Sequence, residues 1–204
     1  MNIHPTVVIG DNVVIGKGVT IGPYTVIGDN VTIGEGTTIY NHCSIGTEAQ
    51  SIISLPDEDA GVLIGKNCII REFVTINNNL VAGKRTELGD ACYLMEKTHV
   101  GHDSVLKNNV VLSAGAKLSG HTTIGSYTYL GLNACTHQFS KIGSYCMIGA
   151  MAFFKGESPD AITWAGVPAI PKKVNAVGLE RNVSDEQDIR RIKEAATDFI
   201  ANWS

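Results

Sequence analysis

The sequence predicts an all-β solenoid, a parallel β-helix of hexapeptide repeats that ends in a short C-terminal α-helical tail. Three observations carry this reading. Aliphatic side chains recur every sixth residue, from Ile3 through Ile45, again at Ile64, Ile70 and Ile76, and then from Leu88 in sixes to Phe154, with Thr136 as the polar exception. A fixed six-residue period is what a β-helix needs, because each repeat supplies one short strand and one corner and three repeats close a coil. Between the apolar positions stand small or polar residues (IGDNVV, IGKGVT, IGEGTT), which provide Gly and Asn where a corner requires unusual backbone angles. Finally, the chain closes on apolar residues at helical spacing. Residues about 18 apart then lie one coil apart, roughly 4.8 Å.

Taken in order, residues 1–154 form the β-helix. From 47 to 62 the pattern breaks, and Ile64 follows Ile45 by 19 residues, so a loop carrying SLPDEDAG leaves the coil. A second loop, 77–87, reads NNNLVAGKRTE and preserves phase. Loops leaving a rigid scaffold are where binding residues collect. Residues 155–176, with three prolines, read as an extended connector. In the final segment, 177–204, Ser184 followed by Gln187 marks a helix start, and Ile189, Ile192, Ala196, Phe199, Ile200 and Trp203 form one apolar stripe.

Composition narrows the function. The 204 residues suit one domain with a tail, and a formal net charge of −4 argues against a nucleic-acid partner. No apolar run approaches the ~20 residues of a membrane span, and MNIHPTVVIG lacks the basic and apolar regions of a secretory signal, so a cytoplasmic protein is expected. Five scattered cysteines without a CxxC pair read as reduced, buried thiols.

The chemistry concentrates in LMEKTHVGHDSVL, LSGHTTIG and THQFSKIG. His102 and His121 are 19 apart and His121 and Gln138 are 17 apart, so all three fall near one corner on successive coils, with His99 and His137 close by. Four of six histidines in one region point to proton transfer, since imidazole titrates near working pH. Asp103 beside His102 is placed to hold the ring in one tautomer. No serine nucleophile elbow accompanies them, so direct transfer with His102 as general base is favoured over a covalent intermediate. The backbone N–H of Gly120 is the natural oxyanion donor.

These stretches resemble those of the UDP-N-acetylglucosamine O-acyltransferases of lipid A synthesis, a family of left-handed β-helix hexapeptide-repeat enzymes. The likeness runs from HPTVVIG through IREFVTIN to VNAVGLER, most of residues 1–182. It implies a left-handed coil, a homotrimer, and transfer of a 3-hydroxyacyl group from acyl carrier protein to a nucleotide-linked sugar. The acyl group rides on phosphopantetheine, with neither metal nor dissociable cofactor. It casts His102 as base, Asp103 as its support and Gly120 as oxyanion donor. It places His99, His121, His137, Gln138 and Gln50 among substrate contacts. Asn175 and Arg181 fall where the family contacts the nucleotide or the phosphopantetheine arm, and Met147 and Ala150 where it measures acyl length.

Departures from the family pattern lie in acceptor recognition. Ser51 and Ile53 stand where the family carries Asp and Lys, and Val177 and Asn182 replace an acidic and a basic residue. One alternative is therefore the same chemistry on another nucleotide-linked amino sugar, with acyl carrier protein or coenzyme A as donor. A second is a zinc-dependent hydratase, suggested by His99 and His102 as HxxH but lacking the paired histidines on the next coil. A third is a non-catalytic scaffold.

Overall fold

The computed structural model describes residues 2–52, 60–81 and 83–203. Its short strands stack into three parallel sheets of ten, eight and eight strands, wound as a left-handed β-helix. Apart from the last two strands, consecutive strands in the chain belong to different sheets, and hydrogen-bonded neighbours lie one coil apart: Ile3 pairs with Ile21 and Ile21 with Ile39. The first loop widens that interval, so Ile45 pairs with Ile76. Across the second loop Ile76 pairs with Val100. Beyond it the 18-residue interval returns, as in Val100 with Leu118.

Each side uses two inward positions. One is the aliphatic residue of the six-residue register, and Ile21 through Ile76 and Leu88 through Ile148 are almost fully buried. The other precedes it by two and carries a small or β-branched side chain, among them Val31, Thr37, Cys43, Val74, Ala116 and Ala134. A narrow three-sided coil leaves no space for two large residues per side, and close packing selects this alternation. The third residue after most inward aliphatics takes a left-handed backbone, as at Asn12, Asn30, Asn109 and Asn133, though not where the two loops leave the coil. Asp103 (φ 57°), His121 (φ 59°) and Phe139 (φ 63°) occupy the same corner position, which disfavours side chains other than Gly, Asn or Asp.

Thr136 is polar inside the coil because it belongs to a buried hydroxyl network. Its Oγ1 lies 3.1 Å from Thr122 Oγ1 and accepts the Ser119 N–H at 3.2 Å, while Ser119 Oγ donates to the Thr136 carbonyl at 2.8 Å. This network fixes the backbone beneath Gly120.

Past Phe154 the molecule differs from the extended connector anticipated for 155–176. Glu157–Ser158 and Ile162–Ala165 continue two of the sheets, and Ile170–Val174 returns antiparallel to the latter. The interval to the preceding coil here is 16 rather than 18, as in Lys141 with Glu157 and Met147 with Thr163, which hides these strands from a six-residue search. Two helices follow instead of one: α1 (Ala176–Asn182), capped by Asn175, and α2 (Glu186–Ala201), capped by Asp185 rather than Ser184. Trp164 closes the coil's end, edge-on to Phe154 at 4.9 Å and to Trp203 at 5.0 Å, with its Nε1 donating to Ser158 Oγ at 2.7 Å.

All five cysteines are free. Cys43, Cys68, Cys92 and Cys146 are buried and donate to backbone carbonyls at 3.0–3.2 Å. Cys135 departs from the buried reading: it occupies an outward position on its strand.

Candidate active site

The corner between two sheets gathers three adjacent columns. Gly101, Ser119 and His137 form the first, His102, Gly120 and Gln138 the second, and Asp103, His121 and Phe139 the third. The spacings of 19 and 17 residues therefore reflect a step of one coil combined with a shift of one column. On the neighbouring outward face, His99, Lys117, Cys135 and Phe153 succeed one another in register. The first two columns and this face line a cleft of about 520 Å³, which Gln50 and Asn77 complete from the loop side, while the third column stands beside it.

His102 and Asp103 are the centre of the arrangement. The Nδ1 of His102 lies 2.8 Å from Asp103 Oδ2, and the Asp103 side chain is 2% exposed. The second loop holds the carboxylate in place: the Leu80 N–H donates to Oδ2 at 3.0 Å and the Val81 N–H to Oδ1 at 3.2 Å. The Asp103 N–H in turn donates to Thr86 Oγ1 at 2.9 Å. Burial alone pushes this carboxyl up, but the His102 bond and the two loop amides prevail and hold it below the usual carboxylate range.

The other ring nitrogen of His102 faces Gly120. A β-carbon built on Gly120 would stand 2.5 Å from both Cε1 and Nε2 of His102, so only glycine permits this approach. Elsewhere on the coil, the N–H at the position of Gly120 is capped by an Asp or Asn one coil on, as Lys66 is by Asp90, Asp90 by Asn108 and Ser144 by Asp160. Gln138 stands in that place above Gly120. Among the described residues the Gly120 N–H has no hydrogen-bond acceptor.

His121 sits beside the pair rather than in the cleft wall. Its ring is perpendicular to that of His102 at 4.9 Å, stacks on Phe139 at 4.5 Å, and places Nδ1 3.9 Å from Asp103 Oδ2. Burial holds His121 below the ordinary histidine range, against the pull of Asp103. His99 bonds Thr75 Oγ1 through Nδ1 at 2.8 Å, and burial, then Lys117 and His102, hold it low as well. His137 lines the cleft with its Nδ1 3.0 Å from the Gln138 carbonyl.

His102, Asp103 and His121 bring donor atoms within 4.8 Å of one another, a grouping of metal-ligand type. The 2.8 Å Nδ1 to Oδ2 contact is a hydrogen bond, and both carboxylate oxygens already accept backbone amides. The carboxylate is thus already committed to the imidazole and the two loop amides.

The remaining predicted residues lie elsewhere on the single chain. Met147 is half-buried on the outward face of another sheet, and Ala150 is exposed at the corner that follows it. Asn175 caps α1 and donates from Nδ2 to the Tyr145 carbonyl at 2.8 Å, and Arg181 is exposed in the last turn of that helix. Ser51 lines a second, smaller hollow of about 190 Å³ with Glu48, Asn78 and Asn79, while Ile53 lies outside the described residues. Sequence reasoning missed Asn77, Ser119 and Cys135 as cleft residues. The 18-residue register from His99 through Lys117 leads directly to Cys135, whereas Asn77 owes its place to the loop. The Asn77 Oδ1 is buried without a partner among the described residues.

The coil and its cleft define a hexapeptide-repeat β-helix protein with a histidine held on a buried carboxylate. A family model described as the GMPPB C-terminal domain matches residues 1–95. The acyl-(acyl-carrier-protein)–UDP-N-acetylglucosamine O-acyltransferase of Aliarcobacter butzleri is 35% identical, over 95% of this chain and 82% of that relative. The protein of the same name from Campylobacter concisus is 34% identical, over 91% of this chain and 71% of that relative. Among solved structures, LpxA from Acinetobacter baumannii superposes with a TM-score of 0.82 at 29% identity, covering 99% of this chain and 90% of that one. The chain belongs to the family of acyl-(acyl-carrier-protein)–UDP-N-acetylglucosamine O-acyltransferases.

Proposed function

We propose that this protein transfers an acyl group, a 3-hydroxyacyl chain, from the phosphopantetheine thioester of acyl carrier protein to a hydroxyl of UDP-N-acetylglucosamine. The observation that carries this reading is the placement of His102, with Nδ1 on a buried carboxylate and Nε2 close against Gly120, whose N–H has no acceptor among the described residues. Asp103 keeps the ring proton on Nδ1, leaving the Nε2 lone pair free as a base. Nε2 takes the proton of the acceptor hydroxyl as its oxygen attacks the thioester carbonyl. The Gly120 N–H receives the developing oxyanion. On collapse the C–S bond breaks, and the imidazolium returns its proton to the departing thiolate. The donor's own phosphopantetheine arm suffices, with no separate cofactor.

His99, Lys117, His137, Gln138 and Gln50 line the cleft around this centre and serve the sugar and its phosphates. Met147, Ala150, Asn175 and Arg181 face away from the cleft of their own chain. They join a cleft in a homotrimer, where Met147 and Ala150 limit the acyl chain and Asn175 and Arg181 meet the nucleotide or the carrier's arm. No helix among the described residues is long and apolar enough to cross a membrane, in keeping with a cytoplasmic enzyme.

A second reading keeps the chemistry and changes the acceptor to another nucleotide-linked amino sugar. Ser51, in a polar hollow with Glu48 and the two asparagines, favours it. Incubating the protein with 3-hydroxyacyl carrier proteins of graded chain length and either nucleotide sugar separates the two. Mass spectrometry detects the acylated sugar, and release of the carrier thiol reports turnover. Failure to form any acylated nucleotide sugar or to release thiol overturns both readings.

A further inference from the structure

We infer that Asn79 is a positioning residue that ties the two loops together and, through them, fixes the carboxylate of Asp103. Asn79 is 1% exposed and lies outside the cleft wall. Its Oδ1 accepts the N–H of Gly61 at 2.8 Å, at the point where the first loop rejoins the coil. Its Nδ2 donates to the Val81 carbonyl at 2.8 Å. Leu80 and Val81, the two residues that follow Asn79, are the ones whose N–H groups hold Asp103.

A carboxylate gripped at both oxygens cannot rotate, so Oδ2 stays on His102 Nδ1. The other bonds of the loop that grips it lie further on, from the Lys84 N–H to the Val81 carbonyl at 3.1 Å and from Arg85 Nη1 to the Asn30 carbonyl at 2.7 Å. Val81, Gly83, Lys84 and Arg85 are all exposed, and Leu80 is only half-buried. Without the Asn79 carboxamide, the Gly61 N–H loses its acceptor and the Val81 carbonyl keeps only the Lys84 N–H, so the link between the two loops is cut and the 80–81 segment is free to drift from Asp103. Errors in placing a reacting group translate steeply into rate.

This inference rests on His102 acting as the base, and the experiment separates the two. With acyl carrier protein and UDP-N-acetylglucosamine, Asn79→Ala lowers kcat on the order of 10–100-fold, with both KM values little changed and the chain still folded at the assay temperature. In an Asp103→Ala background the same substitution adds no further loss, because the effect passes through that carboxylate. A wild-type kcat in Asn79→Ala, or a loss of equal size in the Asp103→Ala background, overturns the assignment. Should Asn79→Ala fail to fold, Asn79→Asp decides in its place, since it keeps an acceptor for Gly61 and gives up the donor to Val81. Ring nitrogen NMR of His102 without substrate gives an independent reading. Wild type shows the proton held on Nδ1, Asn79→Ala shows the two tautomers mixed, and an unchanged spectrum in the variant overturns the proposal. If wild type transfers no acyl group at all, the functional reading fails, and these spectra alone decide the role of Asn79.

Discussion

Gly120 and His102 approach so closely that a methyl group on the glycine would overlap the imidazole: the added β-carbon would stand 2.5 Å from Nε2. Nitrogen and glycine thus face a common point at the cleft wall, where the Nε2 lone pair and the Gly120 N–H can act on the two ends of one attack. Gly120→Ala is expected to displace the ring and abolish most acyl transfer while leaving the far-ultraviolet circular dichroism unchanged. Activity near that of wild type would separate Gly120 from the reaction.

Replacing His102 with Ala is expected to cost at least about a hundredfold in kcat, the usual magnitude for a general base. Steady-state kinetics with saturating nucleotide sugar test this. A variant within a few-fold of wild type removes His102 from that role.

The histidines also set a pH dependence of stability. His99 and His121 are held below the ordinary histidine range, chiefly by burial, so the folded chain binds their protons less readily than the unfolded chain. Their contribution is intact above the unfolded value of about 6.5 and is lost as pH falls toward their folded values. Asp103, also held low, contributes above about 3.9 and fails only in stronger acid. The urea midpoint should fall between pH 7.5 and 5.5, and the fall should be smaller in His99→Gln. An identical slope in that variant would remove His99 from this effect.

Thr136→Val keeps shape but deletes the hydroxyl that joins Ser119 and Thr122. It should destabilise the fold by about 1–3 kcal/mol, the cost of leaving buried polar groups unpaired. Chemical denaturation measures this directly, and a neutral result would show that the network repairs itself.

Cys135 should be the thiol that reacts first in the native protein. Burial raises the Cys43 and Cys146 thiols to about 11, and Cys68 and Cys92 are equally enclosed, whereas Cys135 opens onto the cleft. A thiol reagent should label one cysteine per chain before unfolding and five after. Substrate should slow the first event.

The sequence alone determined the coil, because burying one aliphatic side chain every six residues has a single economical solution, and the register from Ile3 to Phe154 reports it without help from distant contacts. It also brought His99, His102, His121 and His137 to one corner, since stacking turns an interval near 18 into adjacency. It could not reveal the final strands, Glu157–Ser158 and Ile162–Ala165, whose 16-residue interval breaks the period, nor the second helix before α2. Only the tertiary structure decided that Leu80 and Val81 grip Asp103 and that Asn79 anchors them. Those bonds are made by backbone amides in an irregular loop, and a backbone amide carries no residue code. It also decided that Asn175 and Arg181 lie outside the cleft of their own chain, because the strands and the helix after Phe154 leave the six-residue register.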